Sequence, residues 1–325
     1  MKKVAIGIDI GGTNTALGVV DNEGHVMVKD SIPTPSHGNV EEYVNDMADA
    51  IKGLIRSVKL LNEETEILGI GIGAPNGNYY NGTVEYAPNL SFKGIVPFVK
   101  LLKIKFPELQ AIALTNDANA AAIGEMIYGG AKEMKNFVMY TLGTGVGSGI
   151  VVDGNLVYGH DGFAGECGHT TLIPGGRLCG CGAKGHLEAY CSAPGMKRTA
   201  FEIMGRDNAT DSLLAGKSFN ELDSKMIFDA AEKGDKVALE VFEQTGKWLG
   251  QGLADTVHHN SPEAIFLFGG PTAAGEYIFA PTRESLEDHL LPIFKNKIKI
   301  LPSKLKAGDA AIVGASALVY KELES

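Results

Sequence analysis

The sequence predicts an α/β protein built from two related domains, with mixed β-sheets around a cleft between them. Segments typical of strands alternate along the chain with segments typical of helices, which favours α/β domains. A pattern of strand, glycine turn and strand also occurs twice, since Ile8–Thr13 resembles Tyr140–Gly145. The same Val-Val-Asp follows each copy, at Val19–Asp21 and Val151–Asp153. Two copies of one pattern indicate two domains of similar structure.

The individual elements follow from the spacing of apolar residues. A period near that of a helix predicts a helix over 39–61, and short apolar runs predict buried strands at Ile67–Ile72 and Ala111–Leu114. Asp117 then begins an alanine-rich helix that extends through about Tyr128. In the second half, the same criteria predict a helix near Lys236–His258, a strand at Ala264–Phe268 and a last helix from about Asp309.

Chain length and the order of these elements set the expected domain boundaries. A chain of 325 residues is long enough for two hydrophobic cores. We expect a smaller N-terminal α/β domain at 1–116, with the final helix, about 309–325, packing back on it. The larger domain then covers 117–308 and carries a glycine- and cysteine-rich loop.

Composition excludes several classes of protein. The net charge of −10 and the absence of a basic stripe argue against a nucleic-acid partner. No run reaches the roughly 18 apolar residues that indicate a membrane span, and the apolar run near the start is too short for a signal peptide. Four cysteines in a chain of this size do not form a disulfide framework, so we expect a cytoplasmic protein.

The glycine turns are candidate phosphate sites. Glycines let backbone N–H groups approach an anion closely, and Asp9 at the end of the first strand is placed to hold Mg²⁺ beside the phosphates. Taken singly, such turns are also typical of ordinary hairpins, but two matching copies favour paired phosphate loops and phosphoryl transfer. The candidate ATP-binding residues are Asp9, Gly11, Gly12, Thr13 and Asn14 in the first turn, Thr144 and Gly145 in the second, and Gly269 and Gly270 after a later strand.

A short loop between Glu166 and Glu188 concentrates potential metal ligands. It holds three of the four cysteines of the chain, together with two histidines. Thiolates and imidazoles at this spacing suit a tetrahedral Zn²⁺ ion. Four protein ligands would fill its coordination shell, so we expect a structural zinc, with His169, Cys179, Cys181 and His186 as the ligands.

These motifs together resemble the ROK family of sugar kinases and repressors, in the actin-like ATPase superfamily. The most specific part is Gly165–His169 followed by the Cys-Gly-Cys-Gly-x-x-Gly-His-x-Glu run that ends at Glu188. The resemblance implies that Asp117 is the catalytic base. It also implies a set of residues that contact the sugar, namely Asn89, Asn116, Asp117, Glu166, His169 and Glu188.

The metal motif departs from the family at one position. The family usually has a cysteine where this chain has His186. Imidazole remains a good zinc ligand, so we expect a site with two histidines and two cysteines. Cys191, five residues further on, is the alternative fourth ligand.

The resemblance implies ATP-dependent phosphorylation of a hexose, most simply glucose to glucose 6-phosphate. Kinases of N-acetylmannosamine, N-acetylglucosamine, fructose or mannose could use the same residues, and polyphosphate could replace ATP. A sugar-binding repressor is the alternative from another class, although such repressors carry a DNA-binding domain ahead of the motif that here begins at Asp9. By likeness to the family, we expect a homodimer.

Overall fold

The computed structural model describes residues 2–35, 38–62 and 64–324; Met1, Ser36, His37, Glu63 and Ser325 lie outside the described residues. Within the described ranges, no helix is both long and apolar enough to span a bilayer. The chain divides into two compact units. The first comprises Met1–Lys135, Gly149–Gly165 and Ser303–Ser325, and the second comprises Asn136–Ser148 and Glu166–Pro302.

Helices and strands alternate along the described residues. The strands are β1 (Lys2–Ile10), β2 (Asn14–Asp21), β3 (Val26–Pro33), β4 (Thr65–Gly73), β5 (Gly77–Asn78), β6 (Thr83–Glu85), β7 (Ile95–Val96), β8 (Ala111–Thr115), β9 (Phe137–Leu142), β10 (Val146–Val152), β11 (Asn155–Leu156), β12 (Ala264–Phe268) and β13 (Lys299–Pro302). The α-helices are α1 (Val40–Leu61), α2 (Phe98–Lys105), α3 (Asp117–Ile127), α4 (Glu188–Cys191), α5 (Ala193–Asp207), α6 (Ser224–Ala231), α7 (Lys236–Asn260), α8 (Glu276–His289) and α9 (Ala310–Glu324). Two short 3₁₀ helices cover Cys167–His169 and Gly270–Ala274.

The sheet of the first unit has the order β3-β2-β1-β4-β8. β1 runs antiparallel to β2 and parallel to β4, so the sheet is mixed as the fold class predicts. The glycines Gly7 and Gly71 let α9 lie directly on the sheet, because a Cβ atom at either position would come within 1.9 Å of a carbonyl oxygen of that helix. On the other face, α1 buries Tyr43 and Met47 in the main apolar core.

A second five-stranded sheet has the order β11-β10-β9-β12-β13. β12 pairs in parallel with both β9 and β13. β12 is fully apolar, and the rings of Phe137 and Phe266 meet edge to face at 5.7 Å. Both sheets thus combine parallel and antiparallel pairs, and the α/β fold class with mixed sheets is confirmed.

The two units differ from the expected boundary between residues 116 and 117. The structure assigns α3 to the first unit, because α3 packs against α9. Gly124 and Gly314 allow this close approach, since a Cβ atom on Gly124 would lie 2.8 Å from the Gly314 Cα atom. The segment 149–165 also returns to the first unit, so each unit is assembled from separate stretches of chain.

Candidate active site and metal centre

The first glycine turn connects β1 to β2 directly after Asp9 and Ile10. It closes through a hydrogen bond from the Gly11 N–H to the Asn14 oxygen at 3.1 Å. A side chain at Gly11 would press on that same oxygen, because its Cβ atom would lie 2.8 Å away. Gly12, Thr13 and Asn14 are exposed, so their polar groups are open to a ligand.

Asp117 is the first residue of α3, at the end of β8. The side chain of Asn116 caps this helix by accepting from the Ala118 N–H at 2.8 Å. The Asp117 carboxylate accepts from the same N–H at 2.8 Å, yet it keeps solvent-accessible surface. Desolvation by the surrounding protein raises the pKa of Asp117. The residue therefore combines access to solvent with a carboxylate that holds a proton more tightly than usual.

Asp9 and Asp117 lie close enough for their charges to interact. Burial and, to a smaller extent, the negative charge of Asp117 together raise the pKa of Asp9 to about 6. The sheet explains this proximity: Asp9 pairs with Gly73 on β4, and a Cβ atom on Gly73 would lie 3.7 Å from the Asp117 Cα atom. Two carboxylates held together in this way favour a bound cation.

Asn89 lies beside the first glycine turn. A Cβ atom on Gly12 would lie 3.0 Å from the Asn89 main-chain oxygen and 3.6 Å from its Cβ atom. The Asn89 side chain is exposed and can reach a ligand. The first unit thus brings together Asp9, Gly12, Asn89, Asn116 and Asp117 from among the residues that the sequence singled out.

The second glycine turn lies in the second unit, between β9 and β10. Its Gly143 N–H donates to the Gly145 oxygen at 2.9 Å, and the Val146 N–H donates to Glu188 Oε2 at 3.2 Å. Gly145 must be glycine for this contact, since its Cβ atom would lie 2.5 Å from the same carboxylate oxygen. Thr144 is exposed at the tip of the turn.

Gly269 and Gly270 lie next to the second glycine turn. Gly269 has a positive φ of 115°, and a Cβ atom there would lie 2.0 Å from the Leu142 oxygen. Leu142 is the last residue of β9, immediately before Gly143. The second unit therefore collects both of its predicted glycine motifs at the ends of two neighbouring parallel strands.

The four predicted metal ligands form one cluster. The ligand atoms of His169, Cys179, Cys181 and His186 all lie within 4.8 Å of one another. Cys179 Sγ lies 3.7 Å from His169 Nδ1, and Cys181 Sγ lies 3.3 Å from His186 Nδ1. Bonds of about 2.0–2.3 Å from a tetrahedral zinc would separate such pairs by roughly 3.5 Å, so this donor set fits Zn²⁺.

Cys191 lies outside that cluster. It is fully buried, and its thiol donates to the Thr245 oxygen at 3.7 Å. His169 is oriented differently: its Nδ1 faces Cys179, while its Nε2 lies 3.9 Å from Glu166 Oε2. One imidazole can thus join the metal cluster and also face the polar group of Glu166.

Glu188 connects the metal cluster with the second glycine turn. Its Oε1 atom accepts from the Cys179 thiol at 3.0 Å, while its Oε2 atom accepts from Val146. The sequence gives Glu188 a place in the metal motif, but this double contact needs the folded structure.

Sequence reasoning missed Arg177, which anchors the metal loop. Its guanidinium lies against both the Tyr190 and the Trp248 ring, 4.7 Å and 4.9 Å from their centroids. The same group donates to the carboxylate of Glu202 and to the main-chain oxygens of Ala189 and Gly195. Its only signal in the sequence is an arginine two residues before Cys179, which does not by itself indicate a function.

The chain is similar to known proteins along nearly its whole length. The ROK family model matches residues 5–322. The glucokinase of Thermotoga maritima is 32% identical over 319 residues, which cover 98% of each chain. The glucokinase of Streptomyces coelicolor is 34% identical over 323 residues, which cover 97% of each chain.

A solved structure extends the similarity to the fold. A ROK family glucokinase from Streptomyces griseus, crystallised with glucose and AMPPNP, is 32% identical, with a TM-score of 0.80. The match covers 98% of this chain and 99% of that one. Together with the family model, which spans almost every element described above, this confirms the predicted resemblance: the chain belongs to the ROK family.

Proposed function

We propose that the protein is an ATP-dependent kinase that converts glucose to glucose 6-phosphate. The observation that carries this proposal is the pair of carboxylates, Asp9 and Asp117, at the sheet edge beside an exposed glycine turn. A phosphate turn, a cation site and a base are the three parts that phosphoryl transfer requires. Similarity over nearly the full length of two bacterial glucokinases supports glucose as the acceptor.

Asp117 acts as the general base in this proposal. The oxygen of the sugar 6-hydroxyl attacks the γ-phosphorus of ATP, and the bond from that phosphorus to the β–γ bridging oxygen breaks. ADP leaves, and the hydroxyl proton passes to the Asp117 carboxylate. The raised pKa of Asp117 supports this role, because a carboxylate in this state accepts a proton more readily than an ordinary one.

The remaining residues of the first turn bind the nucleotide. Backbone N–H groups of Gly12 and Thr13, with the side chains of Thr13 and Asn14, would hold phosphate oxygens. Gly11 would contribute by letting the backbone approach, because its own N–H closes the turn on the Asn14 oxygen. Asp9 would hold Mg²⁺, directly or through water, and the ion supplies charge neutralisation for the phosphates. We assign similar nucleotide contacts to Thr144 and Gly145, and we place Gly269 and Gly270 along the adenosine.

The polar residues of the family motif are the proposed sugar contacts. Carboxylates and amides suit vicinal hydroxyls, since each can hold a pair of them, and the free nitrogen of an imidazole can bind one hydroxyl. A pocket of such groups rejects analogues that leave them unpaired. These contacts are Asn89, Asn116, Asp117, Glu166, His169 and Glu188. A zinc ion on His169, Cys179, Cys181 and His186 would fix the loop that carries three of them. A homodimer in the cytoplasm stays a prediction from the family.

A coupled assay of ADP release tests the proposal directly. The purified protein is supplied with MgATP and, in turn, with glucose, mannose, fructose, N-acetylglucosamine and N-acetylmannosamine. We expect the largest kcat/KM for glucose. A larger kcat/KM for an N-acetylated hexosamine would identify that sugar, and not glucose, as the substrate. If no sugar led to ADP release, the kinase proposal would be overturned. Replacing ATP with polyphosphate, and measuring glucose 6-phosphate in place of ADP, identifies the donor.

A further inference from the structure

The carbonyl oxygen of Gly11 lies at the end of a buried chain of hydroxyl groups. Thr34 Oγ1 donates to this oxygen at 2.8 Å. Thr15 Oγ1 lies 2.8 Å from Thr34 Oγ1, and the Tyr43 hydroxyl is hydrogen-bonded to Thr15 in turn. Thr15 is 0% exposed, Tyr43 2% and Thr34 7%, so water hardly competes for these bonds.

Counting the hydroxyl protons shows which group donates and which accepts in each of these hydrogen bonds. A carbonyl oxygen only accepts, so the single hydroxyl proton of Thr34 is used on Gly11. Thr34 must then accept from Thr15, and Thr15 must accept from Tyr43. Burial raises the pKa of Tyr43 to about 12, so its hydroxyl keeps the proton that it donates. Hydrogen bonds aligned in one direction polarise one another, which strengthens the last bond to Gly11.

The row of hydrogen-bonded hydroxyl groups ends at the peptide between Gly11 and Gly12, which could otherwise adopt either of two orientations. Gly11 and Gly12 flank the peptide, and the freedom of glycine on both sides lowers the cost of turning it over. A trans peptide is planar, so its C=O and N–H groups point in opposite directions. A Gly11 carbonyl that is held inward by Thr34 therefore turns the Gly12 N–H outward, at an exposed residue.

Thr34 also holds the other side of the turn. Its own N–H donates to the Thr13 oxygen at 2.9 Å. Thr34 directly follows β3, and Tyr43 lies near the start of α1, where its ring stacks on Phe92 at 5.9 Å. The connection from β3 to α1 therefore supplies the support for the turn between β1 and β2.

We propose that Thr34 is a positioning residue for phosphoryl transfer. Its hydroxyl, supported by Thr15 and Tyr43, selects the peptide orientation that aims the Gly12 N–H at a phosphate of ATP. This role rests on the proposed kinase activity, since it presupposes a nucleotide at the first glycine turn. It assigns a part of nucleotide recognition to residues that never touch the nucleotide.

The test compares Thr34→Val, which keeps the shape and removes the hydroxyl, with Thr34→Ser, which keeps the hydroxyl. Calorimetric titration of the full chain with Mg-AMPPNP, adenosine and glucose gives three dissociation constants. For Thr34→Val we expect about a tenfold weaker binding of AMPPNP, the size of one lost buried hydrogen bond. Binding of adenosine and of glucose should change by less than about twofold, and Thr34→Ser should stay within about threefold of the original protein throughout.

A merely structural role predicts a different result. A structural role alone would lower the thermal midpoint and weaken the binding of all three ligands together. Alternatively, it would leave AMPPNP binding unchanged in a folded variant. Either outcome overturns the assignment. If Thr34→Val does not fold, Tyr43→Phe carries the test, because it removes only the far donor and should weaken AMPPNP about threefold with adenosine unaffected. Failure of the unmodified protein to bind AMPPNP would instead contradict the proposed function.

Discussion

The two glycine turns resemble each other in sequence but are supported by different chemistry. In the first, the neutral hydroxyl of Thr34 holds the Gly11 carbonyl. In the second, the Glu188 carboxylate holds the Val146 N–H, and the Ala193 N–H donates to the Gly143 oxygen at 2.8 Å. Two turns of similar sequence are therefore stabilised by unrelated side chains.

The two turns also differ in the residue that precedes them and in the elements that support them. The first turn follows Asp9, whereas the matching position before the second turn is Thr141, so only the first has a carboxylate for a cation. The support of the second turn is shared with the metal loop, since Glu188 Oε1 also lies 3.0 Å from Cys179 Sγ. Perturbing the metal loop should thus reach the second turn, while the first turn depends on β3 and α1.

The largest expected effect follows from replacing the proposed base beside the first turn. Asp117→Asn keeps the shape of the side chain but cannot accept the hydroxyl proton, so kcat should fall by about 10²- to 10⁴-fold. Binding of glucose and AMPPNP should persist, which titration calorimetry can measure. The exposed Asp46→Asn on α1 is the matched control and should keep full activity. Near-normal turnover of a folded Asp117→Asn variant would remove Asp117 from its role.

A smaller effect is expected from adding one methyl group to each turn. Gly145→Ala must displace the Glu188 carboxylate, because the new Cβ atom would lie 2.5 Å from its oxygen. Gly12→Ala meets the Asn89 main-chain oxygen at the milder distance of 3.0 Å. We expect kcat/KM to fall by about 100-fold for Gly145→Ala and about tenfold for Gly12→Ala, as steady-state kinetics will show.

Gly143→Ala is the control for thermal stability, since a Cβ atom there would find no neighbour within 4 Å. Its thermal midpoint should match that of the original protein. Equal activity losses for Gly12→Ala and Gly145→Ala would argue against a special dependence of the second turn on Glu188.

Metal retention tests the link between the metal loop and the second turn. His186→Ala removes one member of the cluster, so zinc affinity should fall by at least about tenfold, the loss typical of removing even an outer partner of a ligand. Cys191→Ala is the matched control and should keep its zinc, because Cys191 lies outside the cluster. Elemental analysis after dialysis distinguishes them. If Cys191→Ala lost its zinc and His186→Ala kept it, Cys191 would replace His186 as the fourth ligand.

The smallest expected effect is on stability and depends on pH. The pKa of Asp9 in the folded protein is about 6, above its unfolded value of 3.8, so folding becomes less favourable as pH rises through this window. Asp9→Asn should therefore raise the thermal midpoint at pH 7, by about 2–4 °C, and have no such effect below about pH 3, where the carboxyl is protonated in both the folded and the unfolded state.

Asp21 supplies a control of opposite sign for that experiment. Burial opposes its ionisation, but hydrogen bonds from Lys2 and from the backbone N–H groups of His25 and Glu23 lower its pKa overall. Its ionised form stabilises the fold above the unfolded pKa, and this contribution is lost as pH falls. Asp21→Asn should thus lower the midpoint at pH 7. A destabilised Asp9→Asn variant at pH 7 would contradict the account of Asp9.

Local patterns in the sequence were enough to locate most of the candidate site. Asp9, the glycine turns and the start of α3 each depend on a few adjacent residues, so spacing alone revealed them. The four candidate metal ligands were equally visible, because all of them fall within one loop. These features needed no knowledge of which distant segments meet.

The supporting residues could not be found in this way. Thr15, Thr34 and Tyr43 belong to three different elements, and only the packing of α1 against the sheet makes their hydroxyl groups meet. The division into units was unpredictable for the same reason, because α3 joins the first unit through contacts with α9 at the other end of the chain. Such relations are set by tertiary packing and leave no local signal.

The most direct test of the central claim is to identify the product. The protein, MgATP and glucose are incubated together, and ³¹P NMR spectroscopy follows the phosphorus resonances. We predict that glucose 6-phosphate and ADP appear in equal amounts, and that neither forms at a comparable rate with Asp117→Asn. Release of inorganic phosphate without any sugar phosphate, or phosphorylation of glucose that does not depend on Asp117, would contradict the mechanism proposed for this protein.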